Sequence, residues 1–143
     1  MTTIRQILER KPEVYAIDPD ATVFEALRLM EEKNIGALLV MKDAVIVGIF
    51  SERDYARRMI LQGRASRDTP VRDVMTGNVF VITPETTSGE CMMHMTDRHI
   101  RHLPVVDGGR VVGVISIGDV VSSVIDDLRF TVRQLESYIR SGG

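Results

Sequence analysis

Apolar and polar positions run through this chain in one rhythm, written twice. From residue 14, VYAI is a short apolar run stopped by a proline, which cannot donate to a sheet ladder. Thr22-x-x-Glu25 has the form of a capping box, and Val23, Ala26, Leu27 and Met30 follow it at helical spacing. Two strand-like runs come next, ALLVM and VIVGIF, joined by the turn residues Lys42-Asp43. From residue 79 the order returns. VFVI meets a proline, Thr87-x-x-Glu90 opens a helix carrying Cys91, Met92 and Met95, and LPVV and VVGVIS flank Asp107-Gly108-Gly109. A second helix is expected to start at Ser51 in one half and at Ser116 in the other. The pattern predicts β-α-β-β-α twice, each copy preceded by a short helix.

The rhythm is a duplication. Residues 14–60 slide onto 79–125 without a gap, with identities that include Ile17/Ile82, Pro19/Pro84, Thr22/Thr87, Gly48/Gly113, Ser51/Ser116 and Asp54/Asp119. The lead-in repeats too, TIRQIL at 3–8 matching PVRDVM at 70–75 after a two-residue change in length. A unit of about 60 residues buries too little surface to be comfortably stable alone. The expected fold is therefore α/β (α+β): two β-α-β-β-α repeats packed sheet to sheet with pseudo-two-fold symmetry. Residues 1–61 form the first repeat, 62–69 a polar linker, and 70–126 the second repeat. Residues 127–143 form a C-terminal helix and tail, where Leu128, Val132, Leu135 and Ile139 make one apolar stripe. That stripe is expected to help a homodimer, the alternative being that it packs on its own chain.

Composition narrows the function. A net charge of −2 and 5% aromatic residues give no drive toward nucleic acid or an anionic membrane. The many arginines of 52–73 are interleaved with acids, as on a solvated face. No apolar run approaches the roughly 20 residues needed to span a bilayer, and the polar N-terminus lacks an apolar signal core. Cys91 is the one cysteine of the chain, so no internal disulfide can form and a cytoplasmic location fits.

The doubled G-h-h-S-x-x-D, GIFSERD at 48–54 and GVISIGD at 113–119, carries the candidate chemistry. In one reading Ser51 and Ser116 cap helices and Asp54 and Asp119 complement their dipoles. In the other, the shorter carboxylate accepts from a diol while Ser and the helix amides meet an anion. The residues alone leave both open.

This doubled motif, each copy preceded by strand-turn-strand and by h-x-P before the first helix, resembles a tandem pair of CBS domains. RHIRHLPVVDGGRVVGVISIGDV is especially close to the family pattern, and the resemblance spans residues 3–125. It implies a regulatory module without catalysis, binding AMP, ADP, ATP or NAD(H) in clefts between the repeats, with an effector protein the sequence does not name. By the same resemblance, Asp54 and Asp119 accept from ribose diols, and Ser51 and Ser116 lie near phosphate or ribose. Ile35, Gly36 and Ala37 in one repeat, and Ile100 in the other, line the adenine. Thr76 meets the base edge, and Arg101-His102 faces phosphate. The copies differ at Gly36-Ala37 against Arg101-His102 and at Glu52-Arg53 against Ile117-Gly118. The expectation is that Asp54 and Ser51, with Arg53 and the opposing Arg101 and His102, form the better anion site.

Competing chemistry is weaker. Cys91, His94, His99 and His102 have no standard zinc spacing. Neither serine has an evident histidine partner, and there is no phosphate loop or dinucleotide fingerprint. No metal and no catalytic residue is expected. A plain interaction module with vestigial pockets is the remaining alternative.

Overall fold

The computed structural model describes residues 1–11 and 13–142. In chain order the elements are α1 (Ile4–Leu8), β1 (Ala16–Ile17), α2 (Val23–Lys33), β2 (Ala37–Lys42), β3 (Val45–Ser51) and α3 (Glu52–Tyr55). After a π-helical turn at Ala56–Ile60 and a 3-10 turn at Val71–Asp73 come α4 (Ser88–Arg98), β4 (His102–Asp107), β5 (Arg110–Ser116) and α5 (Ile117–Arg140). This is a mixed α+β chain with two small sheets, ordered β1-β2-β3 and β4-β5.

The chain divides into two compact units, Val14–Phe80 (the Asp54 unit) and Met1–Glu13 with Val81–Gly143 (the Asp119 unit). These are not the sequence repeats, because the lead-ins are exchanged. The lead-in of the second repeat bridges Thr22 through Pro70, with Val23 N–H to Thr69 O at 2.9 Å and Val71 N–H to Ala21 O at 2.8 Å. The lead-in of the first repeat bridges Thr87 through Thr3, with Ile4 N–H to Thr86 O at 2.8 Å and Ser88 N–H to Thr2 O at 2.9 Å.

In the Asp54 unit, Val23, Ala26 and Met30 of α2, Leu38 and Val40 of β2, Phe50 of β3 and the lead-in residues Val71 and Val74 form one buried cluster with Met59. Each of its Val, Leu, Phe and Met side chains contributes about 1.5–3 kcal/mol when fully buried. In the Asp119 unit Ile4, Ile82, Cys91, Met95, Leu103, Val105, Ile115 and Val120 are buried. Met92 is half-buried and Met93 is 65% exposed.

The exchange explains the doubled glycine. A Cβ at Gly48 would lie 2.8 Å from the Thr76 carbonyl oxygen and against Met75 Sδ, and one at Gly113 would overlap Leu8 Cδ2. Met75 and Leu8 are matched residues of the two lead-ins. The missing side chain is what lets each lead-in close on its strand.

Several expectations change. The strand VFVI is reduced to one bridge, Ile82 to Val105, whereas its counterpart pairs in parallel at Ala16↔Leu39 and Ile17↔Val40. Pro104 stands where β2 has Leu39 and has no N–H for the second bridge. The second lead-in is a 3-10 turn because its N-cap is Pro70, which has no capping hydroxyl, while Thr3 and Gln6 complete a capping box on α1. The first hairpin turns at Asp43-Ala44 (φ 50° and 65°), one residue later than Lys42-Asp43; Gly108-Gly109 (φ 57° and 81°) fill the matching turn. Glu25 closes its capping box, whereas Glu90 accepts from the Thr87 hydroxyl at 3.0 Å. The C-terminal helix is not separate: α5 runs 24 residues unbroken out of the second repeat.

Candidate functional site

Both Ser-x-x-Asp segments sit where an antiparallel strand turns into a helix, and both are complete capping boxes. Ser51 ends β3, and its Oγ accepts from the Asp54 N–H at 3.2 Å. Asp54 Oδ2 accepts from the Ser51 N–H at 2.9 Å and from its hydroxyl at 3.1 Å. Asp54 Oδ1 accepts from the Thr76 hydroxyl at 3.0 Å. The carboxylate is 8% exposed. Thr76 is fixed by its backbone too, exchanging 2.9 Å hydrogen bonds with Ile49 in both directions.

The entry to β2 completes this unit's site. Asn34 closes α2 in the left-handed region, so that Ile35 N–H reaches Met30 O at 3.0 Å. Gly36 O then accepts from Glu52 N–H at 3.1 Å, and Ala37 pairs with Ser51 across the ladder. Ile35, Gly36, Ala37, Ser51, Asp54 and Thr76 are thereby gathered at one end of the sheet, with Arg53 half-buried on α3.

The Asp119 unit repeats the frame with other chemistry. His99 takes the left-handed position of Asn34, Ile100 N–H reaches Met95 O at 3.1 Å, and Arg101 O accepts from Ile117 N–H at 2.8 Å. His102 pairs with Ser116 across β4 and β5. Asp119 Oδ2 accepts from the Ser116 N–H at 2.9 Å and from Lys11 Nζ at 2.6 Å, and Lys11 also donates to Val114 O at 3.3 Å. Val114 matches Ile49. One lysine therefore covers the two acceptors, carbonyl and carboxylate, that Thr76 covers in the other unit.

These contacts set the charge states. Burial works to raise the Asp119 pKa, but Lys11 and the amide and hydroxyl of Ser116 outweigh it and hold the carboxyl below its usual value. His102 is lowered, first by burial and then by the charge of Lys11; Asp119 opposes this and Arg101 adds to it. His102 thus lies within electrostatic reach of Lys11, Asp119 and Arg101, all of its own unit. Lys11 was missed in the sequence. Two signals point to it: it is one of three lysines in an arginine-rich chain, and it falls in the segment where the first lead-in is two residues longer.

Burial pushes the Cys91 thiol up to about 11, which keeps it protonated and inert. Among the described residues no group of His, Cys, Asp and Glu is placed to hold a metal ion, and no helix is long and apolar enough to cross a membrane.

Comparison with known proteins fits this frame. The CBS domain model matches twice, over residues 4–61 and 71–126. CBSX3 of Arabidopsis thaliana, a CBS domain-containing protein named as mitochondrial, is 42% identical over 128 residues, 86% of this chain and 62% of that protein. The chain thus spans a little under two-thirds of that relative's length. The CBS domain-containing protein YhcV of Bacillus subtilis is 35% identical over 107 residues, 75% of this chain and 76% of its own. A solved CBS-domain protein of Burkholderia ambifaria, ascribed to signal transduction, is 47% identical with a TM-score of 0.84, covering 88% of this chain and 96% of that one. With two matched repeats, exchanged lead-ins and a doubled Ser-x-x-Asp at the strand–helix junctions, the chain belongs to the CBS domain family, as a tandem pair of a regulatory kind.

Proposed function

We propose that this CBS pair is a non-catalytic sensor of an adenine nucleotide, AMP, ADP, ATP or NAD(H), and that its two aspartates accept the ribose hydroxyls. The supporting observation is the bonding of Asp54. A carboxylate offers about four acceptor positions, and Ser51 and Thr76 supply three neutral donors to this one. The Thr76 hydroxyl is a donor of the kind a ribose presents, so a diol can take its place without moving a charge. Ser51 and Ser116 stay as caps beside the sugar, and Ile35, Gly36, Ala37 and Ile100 face the base. Arg53 and Arg101 supply positive charge for phosphate, and His102, neutral, supplies a ring N–H donor. Ligand binding shifts the population of packing states that an effector protein reads.

Native mass spectrometry of the purified protein, followed by titration with AMP, ATP, NAD and NADH, tests the sensor. Saturable binding that Asp54→Ala weakens at least tenfold is expected. Binding of none of the four would leave Ser-x-x-Asp as a repeated helix cap and make the chain an interaction module.

We further propose a cytoplasmic homodimer built on α5. Val121, Ile125, Leu128, Val132, Leu135 and Ile139 alternate at four- and three-residue steps, the seam of a coiled coil, and are 38–71% exposed. Arg129 and Glu136 flank the seam on one edge, so an antiparallel partner sets each Arg129 against the other copy's Glu136. Some CBS relatives are oligomeric; a cyanobacterial CBS-CP12 protein is hexameric, at 26% identity and a TM-score of 0.77. Sedimentation of a chain ended at Asp127 should give a monomer, and a persisting dimer would refute the role of the seam.

A further inference from the structure

The Asp119 unit holds a cavity of about 230 Å³ between α1 and the first turns of α5, lined by Arg10, Lys11, Asp119, Ser122, Ser123 and Asp126 among others. Ser123 is 8% exposed, and its Oγ has no hydrogen-bond partner. A serine inside a helix ordinarily returns its hydroxyl to the carbonyl four residues back. A buried hydroxyl left unbonded costs stability, so the Ser123 Oγ, itself shielded from solvent, is a donor and acceptor that a rotation of its side chain can offer to the cavity it lines. The lining combines two cations, two carboxylates and hydroxyls. That mixture suits neither a bare anion nor an apolar molecule. It matches a ligand that carries hydroxyl donors and a phosphate on one small frame.

We propose that this cavity takes the sugar-phosphate part of a nucleotide bound at Asp119, with Lys11 as the residue that makes the site demand a phosphate. The inference rests on the nucleotide reading above. Lys11 Nζ stands 2.6 Å from the carboxylate oxygen that also carries the Ser116 amide. A ribose diol can reach that oxygen only as the ammonium leaves. A nucleoside offers the displaced ammonium no counterion, whereas a nucleotide offers its phosphate, and Lys11 passes from carboxylate to phosphate. Ser123 Oγ then gains the acceptor it lacks. At Asp54 the group to be displaced is an uncharged threonine hydroxyl, so the two sites differ in their dependence on phosphate.

Isothermal titration of the full chain carrying Asp54→Asn, which leaves Asp119 as the reporting site, compares AMP with adenosine. AMP should bind at least tenfold more tightly than adenosine. Adding Lys11→Met, or Lys11→Gln if the methionine variant does not fold, should bring the two within threefold. Ser123→Ala should weaken AMP severalfold and leave adenosine unchanged; an unchanged AMP affinity would overturn the placement of phosphate in this cavity. A ratio unmoved by the Lys11 substitutions, or binding that disappears with Asp54→Asn alone, overturns the inference while the nucleotide reading stands. Failure of the unsubstituted protein to bind either ligand overturns both.

Discussion

The Asp54 and Asp119 sites share a backbone and differ in what holds the carboxylate. In one, a threonine is stitched into the sheet edge by two backbone hydrogen bonds to Ile49 and turns its hydroxyl to Asp54. In the other, a lysine from a longer lead-in reaches the matching carbonyl of Val114 and the matching carboxylate with a single ammonium. The frame is common because it is made of capping boxes, glycines and ladder pairs. The difference arises in the exchanged lead-in, which lies outside the duplicated β-α-β-β-α core. Duplication kept the scaffold, and the lead-ins made the sites unequal.

The glycines offer the strongest way to break that comparison. Gly48→Ala drives a methyl group against the Thr76 backbone oxygen, which cannot retreat without undoing the Ile49 bridge. A loss of about 2–3 kcal/mol is expected on overpacking grounds. Gly113→Ala meets only the end of the Leu8 side chain, and about 1 kcal/mol is expected. Urea unfolding of both variants measures the pair, and equal losses would mean that the two lead-ins close alike.

Removing the donors themselves should invert the intuitive order. Thr76→Val strips a hydroxyl from a carboxylate that is 8% exposed, for a loss of about 1–2 kcal/mol. Lys11→Met removes an ion pair whose side chains are 38% and 23% exposed; solvent screening reduces that contribution to ~0.5 kcal/mol. The same unfolding curves decide it, and a larger loss for Lys11→Met would make the ion pair the structural clamp of its unit.

The hairpin turns make a further contrast. Ala44 takes a left-handed conformation that Gly109 takes freely in the matching turn. Ala44→Gly should stabilise the Asp54 unit by about 0.5–1 kcal/mol, seen as a raised unfolding midpoint.

Acid should find the Asp119 unit through His102 first. The His102 pKa is lower in the folded protein, so its contribution is whole above its unfolded value of about 6.5 and is lost as pH falls below it. Asp119, also lowered, holds its contribution above about pH 4 and loses it on further acidification toward its folded pKa. His102→Gln should flatten the fall in stability that begins below about pH 6.5 and leave the Asp119 limb. A slope unchanged by that substitution would place the upper transition on another group.

Much of this frame was legible in the chain. Thr22 with Glu25, and Ser51 and Ser116 with their aspartates, announce helix starts, because a cap is satisfied by residues three apart. Of the expected apolar helix positions, Val23, Ala26, Met30, Cys91 and Met95 are buried, and Leu27 and Met92 are half-buried. Local rules also misled in places where a single residue had another partner. Pro104 cancelled a strand predicted from VFVI, and Asp43-Ala44 moved a turn by one residue. The stripe on α5 was visible, but its exposure and its continuity with the second repeat were not.

The sequence by itself determined the duplication, which is plain when the chain is slid along itself, and the order of elements and the caps, which depend on neighbours within a few positions. Only the tertiary structure decided which lead-in belongs to which unit, why both strands carry glycine at the same point, and that Thr76 serves Asp54 while Lys11 serves Asp119. Those pairings join residues 22 and 108 positions apart. No local pattern encodes such a distance; it is set by which apolar face of a short lead-in the folded sheet leaves open to cover.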